Sequence, residues 1–104
     1  MAHILVIDDN DGVRDALRLL LELNDYEVSV AATPRAGLAT LDEHNIDLVI
    51  QDMNFEEEKT SGAEGAQLFS QIRERSQDLP VILLTAWTNL EMAVFDQNRA
   101  ALNP

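Results

Sequence analysis

The chain has 104 residues, of which 46% are hydrophobic, and its 19 acidic and 7 basic side chains leave a formal net charge of -12. This length and apolar content predict one small folded domain and exclude a disordered chain. The acidic surplus, with scattered basic residues, argues against direct binding to nucleic acid or anionic lipid and favours a divalent cation.

Other whole-chain features narrow the class of protein further. There is no cysteine, which excludes a disulfide framework, a thiol nucleophile and a cysteine metal site. The apolar runs are too short to span a bilayer, and the first residues lack a signal-peptide pattern. We therefore expect a cytoplasmic protein with no membrane contact.

The first half of the chain alternates strand and helix patterns. Residues 3–7 form an apolar run that predicts a strand, and residues 11–24 predict a helix with four apolar side chains on its inward face. These are Val13, Leu17, Leu20 and Leu21. Residues 26–31 alternate with period two, which is typical of an edge strand with one solvated face. Thr33 as N-cap and Pro34 at the first helical position begin a second helix.

The second half of the chain repeats this alternation. The predicted elements are a strand at 46–50, a helix from 61 to about 75, a strand at 79–85 and a helix from 88 to about 102. Capping boxes begin both helices, Ser61 with Glu64 and Thr88 with Glu91, and Leu68, Phe69 and Ile72 are expected to face inward. The order predicts an α/β domain with a parallel sheet, its first and third strands central because they are the most apolar.

Polar side chains follow three of the predicted strands. Asp8 and Asp9 follow the first strand, Asp52 the third and Thr85 the fourth. Because ligands of open parallel sheets bind beyond the carboxyl ends of the strands, we expect these groups to converge. Oxygen ligands without histidine or cysteine select a hard ion, most plausibly Mg²⁺, beside which a carboxylate can attack phosphorus. A single strand-end aspartate is usually an ordinary turn residue, but this combination favours a site.

Three segments carry a resemblance to a known family. In order, "ILVIDD", "DLVIQDM" and "VILLTA", with helices between them, resemble the receiver domain of two-component response regulators. The stretch from Asp52 to Trp87 is similar to receivers of sigma-54-type transcription activators, the nitrogen-regulator-like subfamily. The resemblance covers residue 3 to about 94. It implies a flavodoxin-like doubly wound sheet, with order 2-1-3-4 for these four strands, and a single receiver domain over residues 1–104.

The resemblance also implies a role for each matching residue. Asp52 would be the phospho-acceptor that takes a phosphoryl group from a histidine kinase. Asp8, Asp9, Asp52 and the main-chain carbonyl of Asn54 would hold Mg²⁺. Thr85 would be the switch hydroxyl that moves toward the phosphoryl group. The domain would thus be a signalling module in transcription regulation, and no enzyme in its own right.

The sequence departs from the family pattern after residue 94. The family's lysine at the end of a fifth strand has no counterpart, since Lys59, the only lysine, lies in an acidic loop where we expect a solvated charge. The fifth strand and the last helix are also unmatched, which predicts a receiver truncated after its fourth helix. The fourth strand would then be an edge strand, and the uncovered apolar surface predicts a homodimer or higher oligomer.

Two other functions compete with phosphotransfer. A degenerate receiver could serve as a dimerisation or interaction module that accepts no phosphoryl group. A haloacid dehalogenase-type phosphatase fragment would use Asp9 and Asp11 in the pattern D-x-D-G-V, with Thr85 in its second motif. That family needs a later lysine and acidic pair, which this chain lacks, and it has no use for Asp52.

Overall fold

The computed structural model describes residues 1–53 and 63–84. In these ranges strands and helices alternate along the chain. The elements are β1 (His3–Ile7), α1 (Asp11–Leu23), β2 (Glu27–Ala31), α2 (Pro34–Glu43), β3 (Leu48–Asp52), α3 (Ala63–Arg75) and β4 (Val81–Leu84). The predicted α/β class is therefore confirmed. The predicted helix at 88–102 and the cap residue Ser61 lie outside the described residues.

The strands form one parallel sheet in the order β2-β1-β3-β4, which confirms the predicted order. In the register Ile7 lies opposite both Ala31 and Gln51, and Asp52 lies opposite Leu84. The carboxyl ends of the four strands are therefore level at one edge of the sheet. β2 is an edge strand, as its alternating pattern predicts, while β1 and β3 are central and buried.

Both helix starts in the first half of the chain are capped by side chains. The Oδ1 of Asn10 accepts a hydrogen bond from the Val13 amide at 3.0 Å and begins α1. The Oγ1 of Thr33 accepts from the Ala36 amide at 3.1 Å and begins α2, with Pro34 in the first turn. The predicted cap at Thr33 is confirmed.

The third and fourth strands differ in their bounds from the prediction, because tertiary hydrogen bonds set those bounds. β3 runs from Leu48 to Asp52 rather than over 46–50, since the Met53 amide donates to the Leu84 carbonyl at 2.8 Å and extends the ladder past Gln51. β4 begins only at Val81, and the carbonyl of Leu79 accepts from the Arg73 guanidinium at 2.6 Å.

Helices cover both faces of the sheet, as a doubly wound fold requires. On one face, α2 and α3 pack on a buried cluster of Leu5, Ile7, Ala31, Val49, Leu68, Ile72 and Leu79. On the other face, Leu17 and Leu21 of α1 pack on Ile4, Val6 and Ile50. The inward placement of Leu68 and Ile72 is confirmed, and Phe69 is half-buried.

The predicted inward face of α1 is only partly correct. Leu17 and Leu21 contact the sheet, but Leu20 is 55% exposed and Val13 is also exposed. Leu20 lies at the border of the apolar stripe, three residues from Leu17 and one from Leu21. A helix resting on a sheet through one narrow stripe leaves such border residues in solvent.

Among the helices that the structure describes, none is long and apolar enough to cross a membrane.

Candidate functional site

Three aspartates converge at the carboxyl edge of the sheet. Asp8 and Asp9 follow β1 directly, and Asp52 is the last residue of the neighbouring strand β3. One carboxylate oxygen of each residue lies within 4.8 Å of the other two. Because β1 and β3 are adjacent, parallel and in register, the ends of both strands bring their acids to the same point.

The environment of Asp8 opposes the ionisation of its carboxyl group. Asp8 is 5% exposed and Asp52 is 6% exposed, whereas Asp9 is half-buried. Burial raises the pKa of Asp8 above its ordinary value, and the neighbouring charge of Asp9 raises this pKa further. The amide of Asn10 and the guanidinium of Arg14 act in the opposite direction and lower the pKa of Asp8, but burial is the largest cause.

A short network holds Asp8 in place. Its amide donates to the Ala31 carbonyl at 3.0 Å, and its Oδ1 accepts from the Asn10 amide at 2.8 Å. The Arg14 guanidinium donates to the Asp8 main-chain carbonyl at 2.7 Å and also to the exposed carboxylate of Asp11. The first turn of α1 therefore fixes the main chain of the acidic site, and Asn10 serves both that site and the helix cap.

This donor set fits a hard divalent cation. Three carboxylates at such distances repel each other when ionised, and a cation between them removes the repulsion. Oxygen-only ligands suit Mg²⁺, which keeps several waters and binds through one or two carboxylates and phosphate oxygens. The half-buried Asp9 leaves one side of the cluster accessible to such a ligand.

The structure brings together the three predicted carboxylates, and the other two predicted site residues lie outside its described part. Asp8, Asp9 and Asp52 form the cluster. Asn54 and Thr85 are outside the described residues, so their predicted roles stay predictions. Asp11, which the phosphatase alternative pairs with Asp9, is exposed and bonded to Arg14. The geometry thus favours Asp52 over Asp11 as the partner of Asp9.

Two residues beside the site were missed by sequence reasoning. Gln51 is fully buried in β3, and Gly65 packs directly on Met53 just after that strand. The sequence did carry a signal for Gln51, because a polar residue there interrupts the apolar pattern of a buried strand. No sequence signal distinguished Gly65, because its importance comes from the approach of α3 to β3.

An open polar cleft of about 850 Å³ lies between α2 and α3 and reaches the site at Asp9. Charged side chains from both helices line it, among them Arg35, Glu64 and Arg75. Arg75 is held by Asp42 at 2.9 Å across the two helices. The cleft therefore gives the half-buried side of the acidic site a solvated approach.

A parallel 2-1-3-4 sheet with three acids at its carboxyl edge defines an α/β domain of the receiver type. The sequence model of the response regulator receiver domain matches residues 4–101. The chain therefore belongs to the response regulator receiver domain family.

The chain is similar in sequence to transcriptional regulatory proteins. The chain is 37% identical over 93 residues to the transcriptional regulatory protein GlrR of Escherichia coli, covering 89% of this chain and 20% of GlrR. It is 34% identical over 91 residues to the C4-dicarboxylate transport transcriptional regulatory protein DctD of Rhizobium meliloti, covering 88% of this chain and 19% of DctD. Both are regulators of the sigma-54-activator type. The chain thus spans about a fifth of the length of these relatives.

Solved structures show the same fold. The response regulator protein TrrA from Thermotoga maritima, in complex with Mg²⁺-BeF, superimposes with a TM-score of 0.73 at 33% identity, covering 85% of this chain and 72% of TrrA. A CheY-like receiver domain protein from Methanospirillum hungatei gives a TM-score of 0.75 at 28% identity, covering 94% of this chain and 74% of that one.

Proposed function

We propose that this receiver domain accepts a phosphoryl group from a histidine kinase on Asp52, with Mg²⁺ in the acidic site. The observation that carries the proposal is the convergence of Asp8, Asp9 and Asp52 within 4.8 Å. Membership in the receiver family and the Mg²⁺-BeF complex of TrrA support it.

The chemistry requires little beyond positioning and charge neutralisation. A carboxylate oxygen of Asp52 attacks the phosphorus of a phosphohistidine, forming a P–O bond while the P–N bond breaks and the electron pair leaves with the imidazole. The Asp52 main chain, paired with Leu84, holds the nucleophile at the strand end. The cleft at Asp9 admits the donor from the solvent side.

The acidic neighbours of Asp52 supply the metal site in this proposal. Asp8, Asp9, Asp52 and the main-chain carbonyl of Asn54 would hold Mg²⁺, which would neutralise the carboxylates and the phosphoryl oxygens. Arg14 contributes by fixing the main chain at Asp8. Thr85 is proposed to donate a hydrogen bond to the phosphoryl group as the switch hydroxyl.

The test is incubation with Mg²⁺ and acetyl phosphate followed by intact mass measurement. We expect a gain of one phosphoryl group that is absent from Asp52→Asn and present in Asp15→Asn, an exposed aspartate on α1 that serves as the matched control. Omission of Mg²⁺ should also abolish the gain. A folded chain that gains no phosphoryl group would contradict the proposal.

A second candidate function is an interaction module, and exposed apolar side chains favour it. Within the described residues β4 is the edge of the sheet, where Ile82 is 47% exposed and Leu83 is also exposed. On α1, Leu19, Leu20 and Leu23 are exposed as well. Such surface commonly marks a contact with another protein, and we propose a homodimer or higher oligomer.

Light scattering tests the proposed association. We expect a mass above that of one chain at micromolar concentration, and a lower mass for Ile82→Lys, which places a charge on the sheet edge. The matched control is Glu74→Lys on the exposed surface of α3, which adds the same side chain away from that edge. A folded monomer for the unaltered chain would contradict this second function.

We propose that residues 1–104 act as one receiver domain, in the cytoplasm, without direct nucleic-acid or membrane contact. The scattered basic residues and the net charge of -12 support the absence of nucleic-acid binding by this chain. Its signal would reach transcription through other protein segments, as the size of GlrR and DctD suggests.

A further inference from the structure

Gln51 is a polar residue in the middle of the apolar core. It lies in β3 immediately before Asp52, opposite Ile7 and Leu83, and its side chain is 0% exposed. Its Nε2 donates to the Gly65 carbonyl at 2.6 Å. The same nitrogen lies 3.4 Å from the Asp52 carbonyl oxygen and 3.6 Å from the Met53 sulfur.

The side-chain oxygen of Gln51 differs from its nitrogen. Among the described residues, the Oε1 of Gln51 has no hydrogen-bond partner. An apolar side chain of similar size would avoid that unmet acceptor, so folding stability alone does not account for a glutamine here.

The side-chain amide joins two segments that already touch. A Cβ on residue 65 would lie 2.4 Å from the Met53 carbonyl oxygen, so the start of α3 rests directly on the main chain after Asp52. Gln51 adds a directional bond to this contact, from the acceptor strand to the first turn of α3. The residues before and after Asp52, Gln51 and Met53, therefore both contact Gly65 of α3.

We propose that Gln51 is a positioning residue, whose buried amide holds the Asp52 main chain against α3 and so fixes the Asp52 carboxylate relative to Asp8 and Asp9. This inference rests on the proposed function of the acidic site. Replacement of a residue that orients a metal ligand without touching the metal typically weakens metal binding by about ten- to a hundredfold. We expect a loss of Mg²⁺ affinity on the order of this range when Gln51 is replaced.

The test replaces Gln51 with methionine, which keeps the length of the side chain and removes both the donor and the unmet acceptor. Calorimetric titration with Mg²⁺ should give about tenfold weaker binding, while the denaturation midpoint stays the same or rises. The matched control is Ile50→Val, a buried change at the adjacent position, which should lower the midpoint and leave Mg²⁺ affinity unchanged. Equal Mg²⁺ affinity in Gln51→Met and the unaltered chain would overturn the inference.

A metal-free measurement separates this inference from the proposed function. The Met53 amide donates to Leu84 at 2.8 Å and reports on the main chain beside Asp52, and the Asp8 amide donates to Ala31 at 3.0 Å and serves as the internal control. In Gln51→Met, hydrogen exchange should become faster at Met53 and stay unchanged at Asp8. Unchanged exchange at Met53 would overturn the positioning role even if the unaltered chain binds Mg²⁺.

A second variant keeps the test possible if Gln51→Met does not fold. Gln51→Leu has a similar volume, and its apolar side chain cannot donate to the Gly65 oxygen. It should show the same faster exchange at Met53. If the unaltered chain binds no Mg²⁺, the proposed function fails, and the exchange experiment still decides whether Gln51 holds the strand end.

Discussion

Gly65 and Met53 are in direct main-chain contact: a Cβ on residue 65 would lie 2.4 Å from the Met53 carbonyl oxygen and 2.6 Å from its Cα. The first turn of α3 can approach the end of β3 this closely only because residue 65 has no side chain. This contact places the end of β3, and with it Asp52, under the start of α3.

Gly65→Ala should therefore destabilise the fold. Alanine normally favours a helix over glycine by about 1 kcal/mol, but here the main chain must shift, and we expect a net loss of about 1–3 kcal/mol. The control is Gly12→Ala in the first turn of α1, where the nearest atom is the Asn10 Oδ1 at 3.3 Å. Urea denaturation of both variants checks the prediction, and an unchanged midpoint for Gly65→Ala would contradict the contact.

Asp8→Asn should stabilise the metal-free chain at neutral pH. The pKa of Asp8 is raised in the folded chain, mainly by burial, so the folded state holds this proton more tightly than the unfolded state does. Its favourable effect is complete below the ordinary pKa of 3.8 and is lost as pH rises through the raised value. Asparagine removes that loss, with an expected gain on the order of 1 kcal/mol at pH 7.

Denaturation across pH tests the sign of this effect. The stability difference between Asp8→Asn and the unaltered chain should be largest near neutral pH and vanish below the ordinary pKa of Asp8. Added Mg²⁺ should stabilise the unaltered chain more than the variant, because the variant lacks one carboxylate ligand. If Asp8→Asn is less stable than the unaltered chain at pH 7 without metal, ionisation of Asp8 does not destabilise the fold.

Arg14→Met should destabilise the chain by about 1.5–3 kcal/mol, the range for hydrogen bonds that involve a charged group. The change removes the 2.7 Å bond to the Asp8 carbonyl and the ion pair with Asp11. It also removes a charge that lowers the pKa of Asp8, so that pKa should rise further.

The matched control is Arg18→Met on the same helix. Arg18 forms an exposed ion pair with Glu22 at 3.3 Å, so its loss should cost less than about 1 kcal/mol. NMR titration of the Asp8 carboxyl and denaturation report the two effects separately. Equal stability of the two variants would show that the bond to Asp8 contributes nothing specific.

Thr33→Ala should cost about 1 kcal/mol, because it removes the N-cap that begins α2 at the border of the cleft. The Thr33 Oγ1 accepts from the Ala36 amide at 3.1 Å. Thr40→Ala is the control, since Thr40 lies within α2 and only donates back to the Ala36 carbonyl at 2.9 Å. Thermal denaturation should place Thr33→Ala well below Thr40→Ala, and the reverse order would contradict the capping role.

Local patterns in the sequence were sufficient for the elements that depend on near neighbours. The cap at Thr33, the strand periods and the inward side chains of α3 follow from contacts within a few residues. The apolar character of β1 and β3 predicted their central positions and the alternation of β2 predicted an edge strand, while the resemblance to receivers implied the full strand order. The meeting of Asp8, Asp9 and Asp52 is a consequence of that order.

The sequence by itself thus determined the receiver fold, the family and the three acids of the candidate site. Only the tertiary structure decided the bounds of β3, the start of β4, the exposure of Leu20 and the buried bond from Gln51 to Gly65. The physical reason is distance along the chain. A helix cap or a strand period is set by residues within one or two turns, whereas these features depend on which distant surfaces meet and how closely they pack.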